Sequence, residues 1–390
     1  MVFETMALRF EISQEIEPNR LGAMWRDLEA RADRPFYLSW DWIGCWMAET
    51  AIAPTVLIGR AGSEVVLLGI LVPGQRRIAW PITIGGVHLH TTGELSQDVI
   101  TIEYNGFLVD RRCSDAAQDE AIAFLFSRRR LGRARFDELH LYNVLHTHAA
   151  VAQSNGLAHA VIATRGSYRI DLEKLRETGR GYLDSLSSNT RQQIRRSVRL
   201  YEKRGPMEAR RAEGVAETLA FLDGLKDLHQ RYWVGKGQPG AFAYPFFERF
   251  QHRLIEACAP KGALELVKVT CGGDPIGYLY NFVDRGQVYA YQSGFQFDAD
   301  PKLKPGLVSH TMCIEMHYRE GAAVYDFMAG DSRYKANLGE RGPDMRYVLL
   351  QRPVFSAQFE GALHRLKARI MARRERRAAR AGAAEPETDG

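Results

Sequence analysis

The residues whose types and spacing suit chemistry lie between Val288 and Gly339, in VYAYQSGFQFDADPKLKPGLVSHTMCIEMHYREGAAVYDFMAGDSRYKANLG. Tyr291, Gln292, Ser293 and Gly294 end an aromatic run, Val288 to Ser293, that reads as a strand. Lys304, Pro305 and Gly306 then open a helical pattern that runs to about Glu320. Gly321 stops it, because glycine takes the left-handed conformation at no steric cost. Asp326 sits in a second strand, Val324 to Met328, and Tyr334 and Lys335 follow its closing Ala329-Gly330. A helix start presents N–H groups without intrahelical partners and the positive end of the dipole, which together suit a phosphate. Gly306 has no side chain to block a ligand, and Lys304 adds a point charge. If the two strands are parallel, the helix crosses between them, and a thioester hung from that phosphate runs down the gap. An acyl-CoA would be held this way, by Gln292, Ser293, Gly294, Lys304, Gly306, Leu307 and Val308. An ordinary helix opening in an α/β protein is the competing reading.

Acylation of an amine needs three things: loss of a proton from the amine, a seat for the tetrahedral oxyanion, and a proton for the leaving thiolate. Strand N–H groups after Tyr291-Gln292-Ser293 would hold the oxyanion, and Asp326 would take or relay the amine proton. An ion pair of Asp326 with Lys335 or Arg333 explains that aspartate equally well. Tyr291 shares a strand face with Tyr289, so core packing is as good a reading for it as catalysis. Glu103 and Asn105 form the polar centre of ITIEYNGFLV, Ile100 to Val109, which otherwise reads as strand. They would bind substrate in a groove between lobes, or shape a turn.

The elements that must position these groups are read along the chain. PFYLSWDWIGCW, Pro35 to Trp46, is a helix entry with Ser39 or Asp41 as cap and its tryptophans as a core stripe. Val56 to Arg60 and Glu64 to Pro73 form a hairpin around Ala61-Gly62-Ser63. Ala116 to Arg130 reads as helix and Glu138 to Tyr142 as strand. Tyr168 to Asp171 crosses to a second lobe, where Asn189 and Gln192 suggest a capping box for a helix to Gly205. Ile194, Val198 and Tyr201 make its apolar stripe. Arg191, Arg195, Arg196 and Arg199 face elsewhere, either solvated or turned to phosphate or nucleic acid, with Arg195 a candidate substrate contact. Two helices and an antiparallel meander, Leu264 to Ser293, lead into the stretch described first, and Arg346 to Leu350 is a late strand. Lobe boundaries follow at 1–165 and 166–355. A basic helical tail occupies 356–390, with a disordered end and an arginine-dense part suited to anionic lipid or RNA.

The chain has 390 residues, a net charge of +5 and no apolar run long enough to span a membrane. Its five cysteines form no C-x-x-C pair, which suggests a reducing cytosol, peripheral to the inner membrane face if the tail docks there. His88 with His90, His146 with His148, and His310 with Cys313 and His317 share faces. None has a diagnostic metal spacing, so no metal is expected.

Four stretches carry a family resemblance: PFYLSWDWIGCW, NTRQQIRRSVRLYEKRG, YAYQSGF and YDFMAGDSRYK. Together they resemble the GNAT acyltransferase superfamily, specifically its two-lobed branch of cellulose-biosynthesis-type acyltransferases related to Fem-type aminoacyl transferases. The resemblance implies an α/β (α+β) fold of two GNAT-like lobes, each a mixed, mostly antiparallel sheet flanked by helices, before the helical tail. It also implies an enzyme that moves an acyl group from acyl-CoA, acetyl or longer, to an amine of a small molecule or envelope precursor. Tyr334 then falls where such enzymes place a tyrosine acid for the sulfur. The superfamily's pyrophosphate loop usually holds two small residues, whereas this chain reads PKLKPG from Pro301 to Gly306. Two alternatives follow: a Fem-type transferase that uses aminoacyl-tRNA, and a catalytically silent scaffold in envelope polysaccharide assembly.

Overall fold

The computed structural model describes residues 8–114, 116–330 and 332–354, so the basic tail read from the sequence lies outside the described residues. Strands β1 (Arg9–Ser13), β2 (Thr55–Ala61), β3 (Glu64–Ala79), β4 (Ile82–Leu89) and β5 (Leu108–Val109) open the first lobe. A small hairpin, β6 (Arg130–Leu131) with β7 (Ala134–Arg135), precedes β8 (Glu138–Val144) and β9 (Ala158–Arg165). The helices of this lobe are α1 (Pro18–Arg31), α2 (Trp40–Thr50), α3 (Leu95–Asp98), α4 (Ala117–Phe126) and α5 (Ala149–Ser154).

The second lobe starts with β10 (Ser167–Asp171), α6 (Leu172–Glu177), α7 (Tyr182–Ser185), α8 (Ser188–Glu202) and β11 (Met207–Arg211). Helices α9 (Gly214–Gly235) and α10 (Pro245–Cys258) lead into the meander β12 (Leu264–Cys271), β13 (Asp274–Asp284) and β14 (Gln287–Phe295). Then come α11 (Pro305–Glu320), β15 (Val324–Ala329), α12 (Arg333–Leu338) and β16 (Glu340–Arg341). The last strand, β17 (Met345–Gln351), returns to the first lobe. The two sheet orders are β1-β2-β3-β4-β8-β17-β9, with β5 on β3, and β11-β12-β13-β14-β15-β10-β16. These are two GNAT-like lobes in which most pairs are antiparallel; each sheet has one parallel pair, β4 with β8 and β14 with β15.

The return of β17 departs from a division at residues 165 and 166. Its alternate residues Val348 and Leu350 are fully buried in the first lobe's core, so burial draws the strand between β8 and β9. The Ile100–Val109 reading also changes, because strand survives only at Leu108–Val109. Thr101 and Tyr104 have φ near +50°, which a continuous strand cannot contain. At α8 the cap is Ser187, whose Oγ accepts from the Thr190 N–H at 3.2 Å, in place of Asn189. Ser39 caps α2 as its sequence suggests, accepting from the Trp42 N–H.

The lobes share a core. Trp25, Tyr37, Trp42 and Trp46 pack with Phe250, Phe282 and Tyr289 of the second lobe, and the Phe36 ring stacks on Phe282 at 4.3 Å. Burying an aromatic side chain contributes about 1.5–3 kcal/mol, so this many at one seam holds the lobes as a unit.

Candidate active site

β14 and β15 pair in parallel from Gln287 to Tyr289, opposite Val324 to Asp326. Beyond Tyr289, β14 continues along β13 while β15 stays with β10, and the sheet opens into a notch. At its mouth Tyr291 is the extra residue of a bulge, since Gln292 faces Tyr280 and Ala290 faces Asn281. The Gln296 N–H bonds to the Ile276 carbonyl at 2.9 Å. By antiparallel alternation the Gly294 and Gln292 N–H groups also point to β13, and those of Ser293 and Phe295 point into the notch. The Ser293 N–H has a long contact of 3.4 Å to Gln292 Oε1, which leaves it available to a ligand oxygen.

Helix α11 begins beside this notch. Val308 donates its N–H to the Lys304 carbonyl at 3.0 Å, and Pro305 has none to give. The open N–H groups of the first turn are therefore those of Gly306 and Leu307. No acidic residue lies in that turn. A Cβ at Gly306 would sit 3.3 Å from the Phe295 ring, so glycine keeps the helix start close to β14. A cavity of ≈ 620 Å³ joins notch and helix start, a volume suited to a small ligand or part of a cofactor. Of the residues expected to hold a cofactor, Gln292, Ser293, Gly294, Lys304, Gly306 and Leu307 line it. Val308 does not: it is fully buried and borders a separate groove toward α8. Gly294 also serves packing, since a Cβ there would lie 2.5 Å from the Leu225 carbonyl oxygen of α9.

Tyr334 and Lys335 enter the cavity from α12. Burial raises the Tyr334 hydroxyl to about 12. That lies roughly 3 pK units above a free thiol, ~4–5 kcal/mol uphill for full proton transfer. Tyr334 is thus suited to donating a hydrogen bond to a leaving sulfur while keeping its proton. Lys335 Nζ donates to the Phe327 and Ala329 carbonyls, each at 2.6 Å, and so braces the end of β15. Beneath Tyr334 lies His310, its ring stacked at 5.5 Å and 18°. It is 2% exposed and lines the cavity; Nδ1 is 3.4 Å from the Tyr325 hydroxyl, and Nε2 has no partner. Burial, then the nearby Lys335 charge, lowers its pKa to about 3, so the ring is neutral. Ser332 Oγ, also in this wall, is buried and lies near enough to the Tyr334 hydroxyl to lower its pKa slightly, but makes no hydrogen bond of good geometry. A buried polar atom left without a partner costs about 1–3 kcal/mol.

Residues 188–336 match the family model described as Acetyltransferase (GNAT) domain. That match spans most of the second lobe. No curated protein matches the chain. Among solved structures, FemX is similar over 87% of this chain and 96% of its own at 12% identity, with a TM-score of 0.57. The C-terminal domain of a putative lysylphosphatidylglycerol synthetase from Agrobacterium fabrum is similar over 89% and 95% at 12% identity, with a TM-score of 0.51. A conserved protein of unknown function from Bacteroides thetaiotaomicron is similar over 89% and 100% at 10% identity, with a TM-score of 0.52. At such identities the likeness is one of fold.

Other expected site residues lie at the junction between the first lobe and the second. Asp326 is 5% exposed and turned away from the cavity; it accepts from the Tyr104 hydroxyl at 2.7 Å and the Met328 N–H at 2.6 Å. Burial raises it to about 6 against the pull of those donors. Its expected ion pair with Lys335 or Arg333 is replaced by these hydrogen bonds among the described contacts. Glu103 reaches across from the first lobe to accept from the Ala329 N–H at 2.8 Å, and burial raises it to about 7. The Tyr291 hydroxyl, though its residue borders the cavity, donates to the Ile100 carbonyl and accepts from Gln251. That pairing ties the lobes together. Asn105 bonds within the first lobe, to His90 and the Leu89 carbonyl. Arg195 lies on the exposed face of α8, 4.0 Å from Asp184 and outside the cavity wall.

One group among the described residues brings metal-ligand atoms together: Glu265, Cys313 and His317, within 4.8 Å of one another. Glu265 already accepts from His317 at 2.7 Å, Asn281 at 2.8 Å and Arg211. A guanidinium in that position opposes a cation, and the set reads as a buried network joining α11 to β12.

Sequence reasoning missed two features of the site. His310 follows Gly306 by four residues, so its place on the cavity face of α11 was available from helical spacing. The Tyr291 bulge, which turns the Ser293 N–H into the notch, has no local sequence signal.

Proposed function

We propose that this chain is an N-acyltransferase that moves an acyl group from acyl-CoA to the amine of a small molecule or envelope precursor. One observation carries this reading: the notch-facing Ser293 N–H, the uncapped start of α11 and the Tyr334 hydroxyl all border one cavity. The cofactor diphosphate would rest on the N–H groups of Gly306 and Leu307, with Lys304 adding charge. The thioester carbonyl would lie against the Ser293 N–H, and one such donor is worth roughly 3–4 kcal/mol as charge builds on oxygen. The amine enters as the free base and attacks the carbonyl carbon, the C–S bond breaks, Tyr334 hydrogen-bonds the departing thiolate, and the proton shed by the new amide nitrogen passes through water to that thiolate, giving the free thiol. Holding the two reactants together would supply the largest part, about 7–11 kcal/mol. Isothermal titration with acetyl-CoA and a long-chain acyl-CoA tests the reading: micromolar binding supports it, and no heat at millimolar ligand refutes it.

A Fem-type transfer from aminoacyl-tRNA is the second reading. It is favoured by the exposed arginines Arg195, Arg196 and Arg199 on α8. It requires tRNA binding that weakens steeply with salt. A salt-independent response in a filter-retention assay would remove it.

A further inference from the structure

Three candidates stand out in the described structure beyond the roles given above. The first is the Glu265–Cys313–His317 group, which is already satisfied by Arg211 and Asn281. The second is a polar hollow on the first lobe's sheet beside the stacked His88 and His140 rings. There Arg76 and His140 are both tied to Glu138, so the charges beside the stacked rings are paired with one another. The third is the unmet pair of polar atoms in the donor cavity, and it carries furthest.

His310 Nε2 is buried without a partner, and Ser332 Oγ, buried in the same wall, has only a poorly placed contact with the Tyr334 hydroxyl. The aromatic wall gives His310 Nε2 nothing: Phe295 meets its ring edge-on at 5.7 Å, Phe327 at 5.2 Å, and Tyr334 covers its face. A neutral imidazole has one donor and one acceptor nitrogen, so Nε2 offers a hydrogen bond in either tautomer. His310 lies one helical turn past Gly306, on the same side of α11. Its ring is stacked on Tyr334, the residue read as the sulfur contact, so on that reading the thioester end of a donor meets this wall. An unsubstituted alkyl acyl chain would leave both atoms desolvated and without a good partner, whereas a chain with a hydroxyl or amino group would pair them.

We propose that the transferred acyl group carries a hydroxyl or amino substituent near its carbonyl, recognised by His310 Nε2 and Ser332 Oγ. This inference rests on the reading of the cavity as a thioester donor site. His310 is a specificity-determining residue in it, separate from the oxyanion and sulfur contacts.

The test compares matched thioesters by isothermal titration: butyryl-CoA against 3-hydroxybutyryl-CoA and 4-aminobutyryl-CoA. At least one polar thioester is expected to bind about 10–100-fold more tightly than butyryl-CoA to the unaltered protein. That preference should vanish in His310→Leu, shrink in Ser332→Ala and persist in part in His310→Gln. Melting curves confirm that each variant is folded, and the wild-type comparison stands whether or not His310→Leu folds. Equal affinity of all three thioesters for the wild type overturns this inference and leaves the donor site intact. A preference that survives both His310→Leu and Ser332→Ala overturns it as well. Binding of none of them overturns the donor-site reading and this inference with it.

Discussion

In the first lobe α4 crosses between the parallel strands β4 and β8, as α11 crosses between β14 and β15 in the second. The two crossings share a plan and differ in what lies at the strand ends. Where β4 and β8 part, the first lobe inserts its own chain. Asn105 bridges to Val144, its N–H bonds to the Asn143 carbonyl at 3.0 Å, and its Nδ2 bonds to the Leu89 carbonyl at 2.9 Å. Asn143 Nδ2 returns a bond to the Ile102 carbonyl at 2.8 Å. The corresponding place in the second lobe opens onto the cavity.

The helix starts differ in the same sense. The first turn of α4 carries Asp119 and Glu120, whereas that of α11 carries no acid and follows Lys304. A carboxylate at a helix start takes up the dipole that a phosphate would use. One lobe thus fills its notch with its own chain and the other leaves it open. The plug of the first lobe also delivers Tyr104 to Asp326 and Glu103 to Ala329, so the closed notch buttresses the strand beside the open one.

The sharpest break of this contrast is Ser293→Pro. It deletes the notch-facing N–H without removing a bond to β13, and turnover is expected to fall about 10²–10³-fold. The measurement is thiol release from acetyl-CoA in the presence of an amine acceptor, alongside a melting curve near wild type. Next in size is Tyr334→Phe, which would remove the proposed hydrogen bond to the sulfur and should lower kcat by about 10²-fold with KM for the thioester nearly unchanged. Lys304→Glu makes the start of α11 resemble that of α4. CoA affinity should fall about 5–30-fold by titration, more at low salt than at high.

The smallest effect concerns the buttress. Glu103 and Asp326 have folded pKa values of about 7 and about 6, raised by burial above the ordinary carboxylate range. The folded state therefore keeps protons that the unfolded chain releases. The stability these groups allow is full at pH near 4 and falls as pH rises toward 7. Buried His88, His90 and His310 have lowered pKa values and act the opposite way below pH ~6.5. The difference between wild type and Glu103→Gln isolates the carboxyl. The variant should gain melting temperature over wild type at pH 8, by a few degrees for ~1–2 kcal/mol, and the gain should disappear near pH 5. A gain that grows toward acid would show that the buttress is not protonated as described.

Much of the second lobe was legible because its signals are local. The meander turns, Gly321 as a helix stop, and the Lys304-Pro305-Gly306 opening all depend on neighbours within a few residues. So does the aromatic stripe of α2, although its partner across the lobes, Phe250 of α10, was not foreseen. Asp326 could be read as a proton relay or as half of an ion pair, because a carboxylate in an aromatic strand is costly to bury unpaired, and Tyr291 fitted core packing as well as catalysis. Tertiary contacts supplied the pairing from the other lobe, through Tyr104 and the Ile100 carbonyl. Similarly, β17 has an unremarkable alternating pattern that fits either sheet, and the choice was made by the gap between β8 and β9.

The sequence by itself determined the order of strand, phosphate-ready helix and strand, since that order needs only periodicity, a glycine without a side chain and a helix dipole. Which of two equivalent notches stayed open was decided by tertiary structure alone. A notch is closed or open according to whether a distant segment can satisfy its exposed backbone groups, and Asn105 reaches Leu89 and Asn143 only after the sheet has formed.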